Sequence, residues 1–282
     1  MTLSQCITGV RQRLAAAGFS TAEAGWIIRD IFAAFKDYSQ VDLITRADNE
    51  ITDILASRVD DAVTRICAGT PVQYVLGQTR WLGMTLKVNP SVLIPRPETE
   101  QLVDMAIADA GDRTDLRVLD IGTGSGCIAI AMARALKFPQ VTAIDISAEA
   151  LKTAEENARQ LRAKVTFLLQ DIIKAIPVRN SYDIIISNPP YIADNEKSEM
   201  SASVLMHEPA TALFVPDDDP ARFYRVIARY AAASLAPGGS LWFEINPLFA
   251  TQTREAVADA GFMSIDLIRD ERGKLRFIHA RL

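Results

Sequence analysis

Residues 118–126 read Val118-Leu119-Asp120-Ile121-Gly122-Thr123-Gly124-Ser125-Gly126, an apolar strand entering a turn with a glycine at every second position. Glycine takes left-handed backbone angles without strain and lets the chain approach a ligand with no Cβ in the way. The turn stands where a strand passes into a helix, expected over 127–136. Its GxGxG spacing lacks the Lys-Ser/Thr of a phosphate-binding loop. Asp120, at the strand end, offers a carboxylate that suits the cationic amino group of an amino-acid-like cofactor better than a pyrophosphate.

Downstream of this turn, strands and helices alternate. Strands are expected at 118–120, 141–145, 165–169, 182–187 and 240–245, with helices at 127–136, 148–161, 221–235 and 250–260. Such alternation predicts a mostly parallel sheet with helices on both faces. The turn Pro237-Gly238-Gly239 leads into the strand at 240–245. Two last strands, 265–268 and 275–280, flank residues 270–274 and read as an antiparallel hairpin. The fold class is therefore α/β, a seven-stranded Rossmann-like sheet preceded by a small all-helical domain.

Upstream, residues 1–67 carry apolar positions at three-to-four spacing, among them Val10, Leu14, Ala17, Trp26, Ile27 and Phe32. Gly69-Thr70-Pro71 ends that pattern, and Trp81 to Val88 alternates as a half-buried strand does. The chain thus divides into a helical domain over 1–68, a linker with a short hairpin over 69–90, and an α/β domain over 91–282.

Three further strand ends carry chemistry. The second strand ends at Asp145, about 20 residues past the glycine turn, where an acid can accept hydrogen bonds from ribose hydroxyls. The third is followed by Asp171 and Ile172, an acid for an adenine amino group and an apolar side chain for the ring face. A single Asp is more often a cap or a solvated charge; acids at successive strand ends weaken that reading. The fourth strand, Tyr182–Ser187, runs into Asn188-Pro189-Pro190-Tyr191. The prolines stiffen this loop and leave its carbonyls as acceptors. The Asn188 side-chain oxygen and the Pro189 carbonyl can accept the two hydrogens of a planar NH2 group, with Tyr191 stacked on its face. Alone, the tetrapeptide is a proline turn ending a strand; beside the glycine turn it points to methyl transfer onto a planar nitrogen.

Composition narrows the alternatives. Hydrophobic residues at 49% and charged residues at 23% exclude a disordered chain, and a net charge of -5 argues against a protein that coats nucleic acid. Cys6, Cys67 and Cys127 form no metal-ligand spacing, so no metal site is expected and the thiols read as reduced. The first residues read as an amphipathic helix containing Arg11 and Arg13 rather than a signal peptide, and a cytoplasmic location is expected. His207 and His279, the two histidines, read as surface or loop residues rather than a catalytic pair. Asp217-Asp218-Asp219 reads as the cap of the helix from about Ala221.

On these motifs the chain resembles the class I S-adenosylmethionine-dependent methyltransferases. It is similar in particular to the peptide chain release factor glutamine methyltransferases, the PrmC/HemK family. The segments Gly69-Thr70-Pro71-Val72-Gln73-Tyr74-Val75-Leu76-Gly77 and Val92-Leu93-Ile94-Pro95-Arg96-Pro97-Glu98-Thr99-Glu100 look like that family's linker and pre-fold signatures. They are more specific than Asn-Pro-Pro-Tyr, which amino-methylating DNA enzymes share. The resemblance implies N5-methylation of the glutamine in the Gly-Gly-Gln motif of class 1 release factors, with S-adenosylhomocysteine as the second product. It implies a helical domain that contacts the protein substrate. Asp120, Gly122, Thr123, Gly124, Ser125, Gly126, Asp145, Asp171, Ile172 and Asn188 would line the cofactor site, and Asn188, Pro189, Pro190 and Tyr191 would hold the glutamine. Arg96 and Glu98 either close over the site or pair with each other.

Two departures from the family pattern stand out: Asn246-Pro247 follows Glu244-Ile245 where Glu-Ile-Gly is expected, and Ile172 replaces an aromatic of some relatives. A monomer without stable nucleic-acid or membrane binding is expected. Rival readings are glutamine methylation of a ribosomal protein, amino-methylation of adenine or cytosine in nucleic acid, and a binding module that has kept the fold without catalysis.

Overall fold

The computed structural model describes residues 1–282, the side chain of Glu199 apart. The chain forms two units, one of Met1–Gln78 with Ala202–His207 and the other of Thr79–Ser201 with Glu208–Leu282.

The first unit holds α1 (Leu3–Ala16), α2 (Thr21–Lys36), α3 (Gln40–Thr45), α4 (Asp53–Cys67) and α5 (Val72–Leu76). Helices α1, α2 and α3 start at Thr2, Ser20 and Ser39, whose hydroxyls accept the backbone N–H three residues on. Gln5, Glu23 and Asp42 reach back to the N–H of the cap residue. These reciprocal bonds satisfy donors that a helix start leaves open. Leu3, Cys6, Val10 and Leu14 of α1 and Ala24, Ile27, Ile28 and Ile31 of α2 are buried in one core with Leu55, Val59 and Val63 of α4. The stretch expected as linker contributes α5 to this unit. The segment Ala202–His207 joins it as well, with Ser203 Oγ donating to the Gly69 carbonyl at 2.8 Å.

In the second unit the hairpin of β1 (Gln78–Trp81) and β2 (Met84–Lys87) precedes α6 (Pro97–Ala110), β3 (Arg117–Ile121), α7 (Cys127–Ala135), β4 (Gln140–Asp145), α8 (Ala148–Gln160), β5 (Val165–Leu169) and β6 (Tyr182–Ser187). A short parallel pair, β7 (Ile192–Ala193) and β8 (Phe214–Val215), brackets α9 (Ala202–His207) and α10 (Ala210–Leu213) in sequence. Then come α11 (Arg222–Ser234), β9 (Leu235–Glu244), α12 (Ala250–Asp259), β10 (Ser264–Arg269) and β11 (Leu275–Arg281).

The main sheet is seven-stranded, in the order β10-β11-β9-β6-β3-β4-β5, parallel except for β11, which runs against both neighbours. Successive residues of a strand face opposite sides. Val118, Ile184 and Ile186 accordingly join α6 and α7 in one core, while Leu119, Ile121 and Ile185 join α11 and α12 in the other. Cover on both faces explains the unbroken Ile184-Ile185-Ile186 run. From β3 the chain steps outward to β4 and β5, then crosses back to β6 on the other side of β3. The carboxyl ends of β3 and β6 therefore stand side by side at the point where strand order reverses, with Ile121 in register with Ser187. Open α/β sheets bind ligands at such a point. At the opposite end of these strands the Asp183 carboxylate braces the pair, accepting the N, Nε and one terminal guanidinium nitrogen of Arg117 at 2.8, 3.0 and 2.9 Å.

Several expectations are corrected. Arg96 and Glu98, expected in a loop entering the catalytic domain, stand instead at the start of α6, Arg96 as its cap residue and Glu98 in its first turn; Pro97 also occupies that turn, where its missing N–H costs nothing. The turn at Pro237-Gly238-Gly239 is a bulge inside β9, since the pairing with β6 jumps from Tyr182–Leu235 to Ile184–Ser240. Gly239 sits in a close approach, with a Cβ there meeting the Ala236 and Asp183 carbonyl oxygens at 3.0 Å. The three aspartates do not cap α11, whose start at Ala221 lacks a side-chain cap. Instead Asp219 pairs with Arg225 at 2.9 and 3.0 Å, and Asp217 accepts the Asn195 N–H. His279 is no surface residue: it is 9% exposed within β11 and stacks on Trp242 with centroids 4.1 Å apart. No helix among the described residues is long and apolar enough to cross a membrane.

Candidate functional site

The glycine turn leaves β3 at Ile121 and enters α7 at Cys127. Gly122, Gly124 and Gly126 all have positive φ, at 75°, 55° and 81°. Two of them leave space above the backbone, as a Cβ on Gly122 or Gly124 would meet nothing within 4 Å. Gly126 does the reverse: its Cβ would meet Ala154 at 3.0 Å, so α8 can lie against the start of α7.

The turn is fastened from several sides. The Gly122 and Thr123 N–H groups donate to the Ile144 carbonyl at 2.9 and 3.1 Å, and the Gly124 N–H donates to the Asp145 carboxylate at 2.9 Å. Asp145 also accepts from the Ser147 N–H at 2.9 Å, while Gln170 N–H donates to the Asp145 carbonyl. The end of β5, and with it Asp171 and Ile172, is thereby drawn toward the same rim. Asp171 accepts the Ile173 N–H at 3.0 Å and shapes its own turn, and Ile172 is partly buried against the core on the α11 side.

Asp120 is wholly buried, at 0% exposure. One oxygen accepts the Thr123 hydroxyl at 2.6 Å and the Ala129 N–H at 3.2 Å, tying the turn to both the strand and the helix. The other, Oδ1, has no partner among the described residues. Burial pushes the carboxyl up to about 7, against the pull of those two bonds. A buried orphan acceptor is costly; a cation at Oδ1 would relieve it and favour ionisation.

At the neighbouring strand end the Ser187 hydroxyl donates to the Ile121 carbonyl at 2.7 Å, linking the two loops at their roots. Asn188 donates its Nδ2 to Thr99 Oγ1 at 3.2 Å. Thr99 in turn donates to Glu244 Oε2 at 2.7 Å, and the Tyr191 hydroxyl donates to Glu244 Oε1 at 3.0 Å. The Glu244 carbonyl accepts the Tyr224 hydroxyl at 3.1 Å. Glu244 and Thr99 are 1% and 2% exposed. Burial raises the Glu244 carboxyl, countered by the bonds from Thr99 and Tyr191, and holds the Tyr191 hydroxyl well above its usual range. Asn246 Nδ2 donates to the Tyr191 carbonyl at 3.1 Å and to Glu196 at 2.9 Å, while its Oδ1 accepts the Leu248 N–H. The residue that breaks the expected Glu-Ile-Gly order is therefore a brace for the Asn188–Tyr191 loop.

Arg96 does not pair with Glu98. Its guanidinium meets Glu208 at 2.6 Å, Glu208 also accepts the Ile94 N–H at 3.2 Å, and the Arg96 carbonyl accepts Trp81 Nε1 at 2.9 Å. These bonds pin the segment entering α6, and hence Thr99. Sequence reasoning missed Thr99, Glu244, Asn246 and Asn157. The last bridges the glycine turn and β2, donating to the Ser125 and Lys87 carbonyls and accepting the Lys87 N–H. A signal existed for Glu244, a lone acid in the apolar run Leu241-Trp242-Phe243-Glu244-Ile245, because such a residue stays buried only when partnered.

Residues 101–216 match the family described as methyltransferase small domain, and residues 5–77 match the PrmC N-terminal domain. The chain is 45% identical over 223 residues to a release factor glutamine methyltransferase of Bacteroides thetaiotaomicron, covering 79% of this chain and 80% of that one. A protein of the same name from Koribacter versatilis is 35% identical over 284 residues, covering 100% and 99%. Among solved structures, the Thermus thermophilus 16S rRNA N2 G1207 methyltransferase in complex with AdoMet and guanosine superposes with a TM-score of 0.54 at 19% identity, covering 72% of this chain and 49% of that one. At that identity the likeness is one of fold.

Proposed function

The chain belongs to the release factor glutamine methyltransferase family, and on that premise we propose that it methylates the side-chain nitrogen (N5) of the glutamine in the Gly-Gly-Gln motif of class 1 peptide chain release factors. S-adenosylmethionine is the donor in this reading and S-adenosylhomocysteine the second product. When bound, it supplies a methyl group activated by a positively charged sulfur.

The residues present fit that cofactor. The open space over Gly122 and Gly124 gives it a cradle, which Thr123, Ser125 and Gly126 complete, and the orphan Asp120 Oδ1 calls for a cationic group such as its amino group. Asp145 is assigned to the ribose hydroxyls, Asp171 to the adenine amino group and Ile172 to the ring face. Asn188, at the junction of the two loops, borders both cofactor and substrate.

The observation that carries the reading is the direction of the Asn188 amide. Its NH2 side faces Thr99, which leaves Oδ1 as an acceptor. Together with the Pro189 carbonyl it can hold the two hydrogens of a glutamine NH2, while Tyr191 covers the amide plane and Pro190 keeps the loop stiff. A carboxamide nitrogen is a poor nucleophile because its lone pair is delocalised. Two acceptors on its hydrogens raise its electron density, and a fixed in-line approach removes several kcal/mol of orientational cost. The proton leaves to water after transfer.

For the first unit we propose recognition of the protein substrate. Support comes from a cavity of about 520 Å³ between α1, α2 and α3, where Arg11 and Arg29 stand beside the apolar Ile7, Ile28, Leu43 and Ile44. The reading places the reaction in the cytoplasm, on a single chain.

The test is peptide mapping of a purified class 1 release factor after incubation with the protein and S-adenosylmethionine. One added methyl on the Gly-Gly-Gln glutamine is expected. Methylation of a ribosomal protein or of nucleic acid in its place, with the release factor unchanged, would overturn the assignment.

A further inference from the structure

A carboxylate oxygen accepts hydrogen bonds. Both oxygens of Glu244 do so, Oε2 from the Thr99 hydroxyl and Oε1 from the Tyr191 hydroxyl, and each hydroxyl points its proton at the acid. A threonine hydroxyl has one proton. With that proton committed to Glu244, Thr99 Oγ1 can meet Asn188 only as an acceptor, and the partner it has is Asn188 Nδ2 at 3.2 Å. The two orientations of an asparagine amide are nearly equal in shape and opposite in polarity. One presents an acceptor to the space beyond, the other a donor, and only the acceptor can hold an N–H of an incoming amide.

The same carboxylate fixes the hydroxyl end of Tyr191, while Asn246 holds the Tyr191 carbonyl at 3.1 Å. We propose that Glu244 is a positioning residue that sets the polarity of Asn188 through Thr99 and holds the ring of Tyr191 by its hydroxyl. The proposal rests on the reading of Asn188 and Tyr191 as an amide clamp. It also gives a reason for a buried acid at the end of β9. Burying a carboxylate is expensive unless its oxygens are satisfied, and an apolar residue would serve the core better. Here the acid faces both hydroxyls that adjoin the clamp.

Glu244→Gln keeps the shape and introduces an NH2 that must face Thr99 or Tyr191. Whichever it faces has to accept, and its own proton turns away. If Thr99 turns, its proton meets Asn188 and the amide reverses; if Tyr191 turns, the ring loses its tether. Thr99→Val keeps the shape and removes the hydroxyl, whereas Thr99→Ser keeps the hydroxyl.

The experiment measures steady-state methylation of the release factor by the full-length protein, with S-adenosylmethionine affinity determined separately by calorimetry. Expected are a fall in kcat of about 10- to 100-fold for Glu244→Gln and for Thr99→Val, with the release-factor KM within about threefold and the cofactor Kd moved by less than kcat. Thr99→Ser should recover most of the rate, and the double variant Glu244→Gln/Thr99→Val should be far less impaired than the product of the two single effects, since both act along one path. Wild-type kcat in folded Thr99→Val, or multiplicative loss in the double variant, would overturn the proposal. Should Glu244→Gln fail to fold, the Thr99 pair decides. The function itself is tested by the wild type in the same assay: no methylation of the release factor by that protein would sink the reading of function, separately from the role of Glu244.

Discussion

At the scale of single residues, Asn188 and Asp120 are asked to do different things, and their variants should part accordingly. Asn188→Ala removes the outward acceptor and leaves Thr99 and Glu244 bonded to each other. Loss of turnover by about 100-fold or more is expected with an unchanged melting temperature, on the scale of removing one polar group aimed at a reacting centre. Full activity in that variant would refute the clamp.

Asp120 couples function to stability. Its carboxyl ionises near 3.8 when unfolded and near 7 in the folded protein, because burial opposes the charge. Between those values the folded form holds a proton that the unfolded chain has released. Stability from this group is therefore intact below about pH 4 and falls as pH rises to about 7, by a few kcal/mol. Asp120→Asn removes that slope. Thermal unfolding of the apoprotein at several pH values should show wild type losing ground to Asp120→Asn from pH 4 to 7. Cofactor affinity should fall in the same variant, since the negative partner of a cationic group is gone. A parallel pH profile for the two proteins would count against the buried charge.

At the scale of elements, the end of β9 braces the Asn188–Tyr191 loop through residues 244 and 246. Asn246→Gly restores the Glu-Ile-Gly order of the family pattern but removes bonds to the Tyr191 carbonyl and Glu196 and the cap of the turn at Pro247–Phe249. A loss of about 1–3 kcal/mol is expected in urea unfolding; unchanged stability would show that the brace is idle. The strands of the main sheet were legible in the sequence because apolar runs such as Tyr182–Ser187 are bounded by turn residues, whereas the short pair β7 and β8 was not; the candidate site could be proposed wherever a strand end carried an acid or the Asn-Pro-Pro-Tyr loop. What escaped reading was long-range. Thr99 meets Asn188 across 89 positions and Glu244 across 145, and Asn157 meets Lys87 across 70. No local spacing encodes such pairs. Helix α6 escaped for the opposite reason, since Pro97 at its first turn looks like a breaker unless the helix is known to begin there.

At the scale of the whole molecule, catalysis and recognition are assigned to different units, which makes them separable by kinetics. Arg11 and Arg29 line the cavity between α1, α2 and α3. Reversing both, Arg11→Glu with Arg29→Glu, should raise KM for the intact release factor several-fold at unchanged kcat. A short peptide carrying Gly-Gly-Gln should be methylated by both proteins at the same rate. Equal KM values for the intact factor would remove this cavity from the recognition surface.

The helix Ala202–His207 belongs to the unit otherwise made of Met1–Gln78. A ribosome delivers these two pieces at different times. At about 5–20 residues per second, the early helices wait on the order of ten seconds for their last neighbour. During that wait the Gly69 carbonyl lacks the Ser203 hydroxyl it will later accept. Nascent chains stalled before residue 202 should therefore expose a protease-sensitive unit that becomes resistant once residue 207 has cleared the exit tunnel, so that birth of the enzyme is timed by a segment lying well past its glycine turn.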